Sequence, residues 1–396
     1  MATRRVRIVC ISDTHNQTPK LPPGDILIHA GDLTNQGAFS ELQKTVDWLR
    51  RMDQFQIKVV VCGNHDITCD IPFYQQYGAY YHNRTKQDPE RCIALFHSDP
   101  SIVYLNHEAR IVRVNFADGS YSTLKIFGSP YSPTRRLWAF GYEPENAFQL
   151  WKQIPLDADI VVTHTPAKFH RDESHSHGAA GCETLREMLW RVRPRLFVCG
   201  HIHEGYGVEV VTWDLSCPNV KFKERSVRNV HDPRPESKKQ FTVDLSARAR
   251  SGTLQNDGSP GNLLVTKQLV KLRGIEVDGA ADNRATVETD EQLLPPVPSP
   301  PRPPFPDFEK AERPMSFIAE DTNAQRPATH GLGALGLSGR SDQEAISGRE
   351  GRAETCIVNA AFMASNYPHP GGKQFHKPIV IDIDLPVEYP QPSTSA

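Results

Sequence analysis

Seven apolar runs of five or six residues, dominated by valine and isoleucine, punctuate the first 213 residues: VRIVCI (6–11), DILIHA (25–30), IKVVVC (57–62), LKIFG (124–128), DIVVTH (159–164), RLFVC (195–199) and VEVVTW (208–213). Runs this short and this continuously apolar are strands buried on both faces. Helical patterns lie between some of them. In SELQKTVDWLRRM (40–52), Ser40 and Gln43 read as a capping box, and Leu42, Val46 and Leu49 share one face. In ETLREMLWRVRPR (183–195), Leu185, Met188, Leu189 and Val192 form the same stripe before Pro194 stops the helix. Strands alternating with helices predict an α/β layered fold.

The chain has 396 residues, which is long for one domain, yet only 38% are hydrophobic and 32 are proline. Part of it therefore builds no core. The texture changes between Asp214 and Glu354. In PPVPSPPRPPFP (295–306) eight of twelve residues are proline, an extended polyproline-like stretch that could dock an SH3- or WW-type partner. GLGALGLSGRSDQEAISGREGR (331–352) is rich in glycine and charge, whereas KKQFTVDLSA (238–247) has enough apolar content to order locally. Strand patterns return in TCIVNAAFMA (355–364) and KPIVIDIDL (377–385). The expected organisation is a main part over 1–213, a Pro/Gly-rich and largely disordered insertion over 214–354, and C-terminal strands over 355–390 that complete the same domain.

A net charge of −2 offers no broad basic field, so nucleic-acid binding by charge alone is not expected. No run of 18 apolar residues is present to span a bilayer, and the start of the chain lacks a signal-type apolar segment. An intracellular, cytoplasmic setting is the expectation. The eight cysteines are scattered without a C-x-x-C pair, and Cys10, Cys62 and Cys199 sit inside apolar runs as small buried hydrophobes.

The residues at the ends of the apolar runs carry chemistry. The first run leads to Asp13 and His15, the second to Gly31-Asp32, the third to Gly63-Asn64-His65-Asp66; the fifth ends in His164 and the sixth leads to His201 and His203. Five strands thus present Asp, Asn or His at their carboxyl ends, the edge where α/β sheets build sites. One such residue means little; five coincident ones point to a shared metal site. Seven protein ligands exceed what one ion can use, whereas two ions bridged by one carboxylate accommodate them. Oxygen and imidazole donors without thiolate suit Mn²⁺, Fe or Zn²⁺, and Mg²⁺ less well. Two cations about 3.5–4 Å apart activate water for in-line displacement at phosphorus.

The series D-x-H, G-D, G-N-H-D, H, G-H-x-H resembles the calcineurin-like metallophosphoesterases, over Val6 to Trp213 and again over Thr355 to Pro386. ISDTHN, GDILIHAGDLT, GNHD, HTP and GHIHEGYG look like the subgroup named for containing a metallophosphoesterase domain. The resemblance implies a β-sandwich flanked by helices. It implies that Asp13, His15 and His203 hold one metal, that Asn64, His164 and His201 hold the other, and that Asp32 bridges them. His65 then faces the phosphate as the catalytic residue assisting the leaving oxygen, and Asp66 holds the loop. His175 and His177, in the polar loop HRDESHSHG, read as a solvated loop, with the lining of the site's entrance as the alternative.

One departure matters. Ser/Thr protein phosphatases of this family extend the second block as G-D-x-x-D-R-G, where this chain reads GDLTNQG. Asn35 replaces the carboxylate partner of the histidine, and Gln36 replaces a phosphate-binding arginine. A dianionic monoester loses a bidentate partner, and a singly charged diester loses less. The expectation is a dinuclear phosphodiesterase on small soluble esters such as cyclic nucleotides, with metal-bound hydroxide attacking phosphorus. The alternatives are a phosphomonoesterase on the same site, or a metal-holding scaffold whose Pro-rich segment recruits partners. Arg135, Arg136, Trp138 and Tyr142 either contact substrate or pack.

Overall fold

In a computed structural model of the chain, which describes residues 2–175, 178–214, 224–249, 252–258, 351–365 and 368–390, alternate residues of the strand Thr3–Ile11 enter two different cores. Val6, Ile8 and Cys10 face a second sheet, whereas Val9 and Ile11 face helices. This is why the run is apolar throughout rather than alternating. The described residues belong to one compact unit, Met1–Leu263 with Leu337–Ala396.

Among the described residues, one sheet has six strands in the order Phe241–Asp244, Ile379–Pro386, Thr3–Ile11, Ile26–Ala30, Ile57–Val61 and Ile102–Tyr104. A second has seven, in the order Glu224–Val230, Gly207–Trp213, Glu354–Asn359, Leu196–Cys199, Ile160–Thr163, Tyr121–Ser129 and Glu108–Asn115. The sheets share one core, in which Ile8, Ile28 and Val59 of the first meet Ile126, Val162 and Val198 of the second. Helix Phe39–Arg50 covers the outer face of the first sheet with Leu42, Val46 and Leu49. Helix Glu183–Val192 covers the second with Leu185, Met188, Leu189 and Val192. The result is the expected mixed α/β fold, a two-sheet sandwich flanked by helices. The seven described cysteines are free and buried. No helix among the described residues is long and apolar enough to cross a membrane.

Two expectations need correction. Helix Phe39–Arg50 begins two residues early for a Ser40 cap: Ala38 is the N-cap, and its amide donates to the Glu41 carboxylate at 3.1 Å. The insertion does not begin at Asp214. Strand Phe241–Asp244 buries Phe241 and Val243 and runs parallel to Ile379–Pro386, and the chain up to Gly258 packs beside Gly351 and Arg352. Strand Glu224–Val230 is mostly exposed and pairs with Gly207–Trp213, so it carries no apolar signature; backbone pairing alone defines it. Tyr142 packs in the core, where its hydroxyl accepts from the Trp151 indole at 3.1 Å. The Pro-rich stretch 295–306 and the segment 331–350 lie outside the described residues.

Candidate metal centre

The strands that end at Asp13, Asp32 and Asn64 lie side by side and parallel in the first sheet, and those that end at His164 and before His201 lie side by side and parallel in the second. Their carboxyl ends therefore meet along one edge of the sandwich. There the candidate ligand atoms of Asp13, His15 and His203 all lie within 4.8 Å of one another, and so do those of Asp13, Asp32 and His164. Asn64 Oδ1 sits 3.0 Å from His164 Nε2. The His201 ring packs 4.9 Å from that of His164, while His203 Nε2 is 3.5 Å from Asp13 Oδ1. The two histidines of GHIH thus face different neighbours although one residue separates them.

The backbone is bent to achieve this. Asp13, His15, Asp32 and His201 all adopt positive φ, between 43° and 66°, a costly conformation for residues with a side chain. Gly31 at φ 103° and Gly63 permit close approach: a Cβ on Gly31 would lie 2.4 Å from His164 Nδ1, and one on Gly63 would lie 2.3 Å from Asp32 Oδ1. Asp66 is buried and accepts from the amides of Leu33, Thr34 and Gly63 and from the Thr34 hydroxyl. It ties the Asp32 loop to the Asn64 loop.

The surroundings suit cations. Asp13 and Asp32 are buried, and among the described residues neither pairs with a lysine or arginine. Buried carboxylates without such partners demand another positive charge. His164 donates Nδ1–H to the Ala30 carbonyl at 3.0 Å, and His15 Nδ1 lies 3.3 Å from the Thr34 carbonyl. Such backbone acceptors fix an imidazole so that Nε2 faces the site, as in metal-ligating histidines. Burial pulls the His164 pKa down, but the charge of Asp32 outweighs it and lifts it to about 9. Burial holds His15 down at about 4, and burial with the charge of His164 holds His201 at about 3.

A cavity of about 950 Å³ opens over this cluster. His65 lines it. Its amide donates to Asp32 Oδ1 at 2.8 Å, its Nδ1 lies 2.8 Å from the Asn35 carbonyl, and its ring packs at 4.0 Å, tilted by 34°, against Trp138. The partner of the His65 ring is thus a backbone carbonyl, where the G-D-x-x-D-R-G pattern would have offered a carboxylate at position 35. Arg135, Arg136 and Trp138 line the cavity as well, whereas His175 is exposed and outside the lining. His177 lies outside the described residues. Sequence reasoning missed Met363, Ser365, His369 and Lys373 on the far wall. Met363 follows strand Glu354–Asn359 closely enough for the strand-end rule to find it, whereas Lys373 reaches the cavity only because the later segment folds back.

A family model described as calcineurin-like phosphoesterase matches residues 6–205. The chain belongs to that family. Within it, the chain is 36% identical over 211 residues to human metallophosphoesterase domain-containing protein 1, a match covering 51% of this chain and 62% of that protein. It is 43% identical over 212 residues to the probable rhamnogalacturonate lyase C of Emericella nidulans, covering 53% of this chain and 18% of that protein. The chain thus spans less than two thirds of the length of either relative. The solved structure of purple acid phosphatase PPD1 from yellow lupin aligns with 61% of this calcineurin-like chain and 42% of its own at 12% identity, with a TM-score of 0.29.

Proposed function

We propose that this site is a dinuclear metal centre that hydrolyses phosphoesters, and that its substrates are diesters of small soluble compounds such as cyclic nucleotides. One observation carries the reading: the two buried carboxylates Asp13 and Asp32, unpaired by lysine or arginine, are ringed by His15, His65, His164 and His203 from four strand ends. Asp13, His15 and His203 would hold one ion, Asn64, His164 and His201 the other, and Asp32 both. The donor set favours manganese, iron or zinc over magnesium. Two bound divalent ions supply Lewis acidity at phosphorus and lower the pKa of water.

The chain's own groups do the rest. His65 is fixed through Nδ1–H on the Asn35 carbonyl and by the Trp138 face, so that its imidazolium form would give the Nε2 proton to the departing ester oxygen and be left neutral. Asn35 and Gln36 present no charge to the reacting phosphate, which fits a singly charged diester.

Elemental analysis of the purified protein should find two transition-metal ions per chain. Hydrolysis of bis(p-nitrophenyl) phosphate should depend on them and exceed that of p-nitrophenyl phosphate. Asp32→Asn should lower kcat by more than about 100-fold, since changes beyond the ligand shell already cost 10–100-fold. Full metal-dependent activity in Asp32→Asn would remove its bridging role. Faster turnover of the monoester would replace the diesterase by a phosphomonoesterase.

A further inference from the structure

Three cations on the cavity wall take no part in the proposed hydrolysis. Arg135 and Arg136 come from the loop 134–140, and Lys373 from the segment after strand Glu354–Asn359; all three line the cavity that exposes Asp32 and His65. Among the described residues, none of the three pairs with a carboxylate. Several arginines elsewhere do pair with carboxylates: Arg7 with Asp382, Arg186 with Glu224, Arg352 with Asp159.

Both walls are built rather than loose. The Arg135 loop is closed by the pairing of Ser132 with Gly141 and Pro133 with Tyr142, and Phe140 donates its amide to Asp70 at 2.7 Å. Arg136 is held at φ 58°, the left-handed region that a side chain enters only when its surroundings require it. On the other wall Gln374 donates its amide to Ser365 Oγ at 3.0 Å, and Phe375 stacks on Phe362 at 5.0 Å.

The charge balance then selects a ligand. Glu204 also lines the cavity, so against the three rim cations it leaves a surplus of two positive charges, and with −2 over the whole chain that surplus is local. A diester brings one negative charge, which faces the ions and leaves this surplus unanswered. Guanidinium pairs with phosphate through two parallel hydrogen bonds, a geometry an ammonium supplements as a point charge. Resting on the hydrolase reading, we propose that the cavity takes a phosphoester bearing a second anionic group, a second phosphate foremost, which Arg135, Arg136 and Lys373 hold while the ester lies over Asp32.

The p-nitrophenyl ester of thymidine 5′-phosphate, with and without a 3′-phosphate, tests this on the full-length protein loaded with Mn²⁺. Both esters share one leaving group and differ only in the second anion. The 3′-phosphorylated ester should be preferred at least about tenfold in kcat/KM, through KM, as expected for a charge-assisted contact. Arg135→Ala/Arg136→Ala should bring the ratio close to one, and Lys373→Ala should lower it in part, with circular dichroism confirming the fold. Calorimetry separates this site from the chemistry: thymidine 3′,5′-bisphosphate should bind about tenfold tighter than thymidine 5′-phosphate. Equal affinities, or a preference that survives in the double variant, overturn the second-anion site. So does p-nitrophenyl phosphate turned over as well as the bisphosphate ester, because the extra charge would then be met at the reacting phosphorus. Absence of turnover of either ester overturns the hydrolase reading instead.

Discussion

Asp66 and Thr34 lock two loops together: the carboxylate accepts from the Thr34 amide at 2.9 Å and from its hydroxyl at 2.7 Å, while its other oxygen takes the Gly63 amide at 2.8 Å. Truncating Asp66 to alanine strips these buried donors of their acceptor. The variant should lose at least about 3 kcal/mol of stability, since each unsatisfied buried group costs about 1–3 kcal/mol. Urea unfolding of metal-free protein measures this; a loss below about 1 kcal/mol would mean that water replaces the carboxylate.

Gly63 lets its loop pass against Asp32. A methyl group there would collide with Asp32 Oδ1. Gly63→Ala is therefore expected to lower metal affinity by about tenfold or more, the scale of disturbed ligand support. Competition with a chelator reads the effect, and unchanged affinity would show that Asp32 has room to move.

Trp138 packs against the His65 ring at 4.0 Å, so it should position His65 rather than touch the phosphate. Trp138→Ala should lower kcat about tenfold and leave KM within about twofold, as expected when a reacting group is misplaced. Trp138→Phe should recover most of the rate, because an aromatic face is retained. A rise in KM at constant kcat would place Trp138 against the substrate instead.

A separate cluster gives a pH signature to stability. His170 is buried between Glu209, 2.6 Å from Nδ1, and Glu224, 3.3 Å from Nε2, and Arg186 pairs with Glu224. Burial pulls the His170 pKa down, but the two carboxylates outweigh it and raise it above 6.5; its contribution is complete below pH 6.5 and fades as pH rises through the raised value. For Glu224, burial is outweighed by His170 and Arg186, which hold it at about 2, so its contribution is present above pH 4.5 and fades as pH falls toward 2. The stability difference between wild type and His170→Gln, measured in chelator, should be largest between pH 4.5 and 6.5. A difference that stays flat from pH 3 to 9 would contradict this.

The chain ends that flank 259–350 lie together: Asp257 donates its amide to Gly351 at 3.2 Å, and Asn256 bridges Arg352. Replacing residues 260–349 by a short Gly/Ser linker should leave the unfolding temperature within about 4 °C of wild type. Removing 214–354 deletes strands Glu224–Val230 and Phe241–Asp244 and should cost more than about 8 °C. Equal losses from the two deletions would refute a domain boundary after Gly258.

Strands buried on both faces announced themselves, because Ile8, Val9 and Cys10 must all be apolar to fill two cores. The seven candidate ligands were legible for a related reason: each stands at or just after the end of such a strand, so the sheets bring them to one edge. Strand Glu224–Val230 was not legible, since its side chains are mostly in solvent and only its backbone is specific. Nor was the carbonyl of Asn35 as the partner of His65, since main-chain groups leave no mark on residue type. The far wall with Lys373 depends on a fold-back of the C-terminal segment that no periodicity records.

Strand Ile379–Pro386 lies between Phe241–Asp244 and Thr3–Ile11, and Glu354–Asn359 lies between Gly207–Trp213 and Leu196–Cys199. The residues after the latter also clasp Ser12 and Asp13 through their backbone. Synthesis runs from the other terminus, so a nascent chain holds all its candidate metal-binding side chains long before either central strand has left the ribosome. An ion held in the finished geometry would therefore have to wait until Ile379–Pro386 has been made.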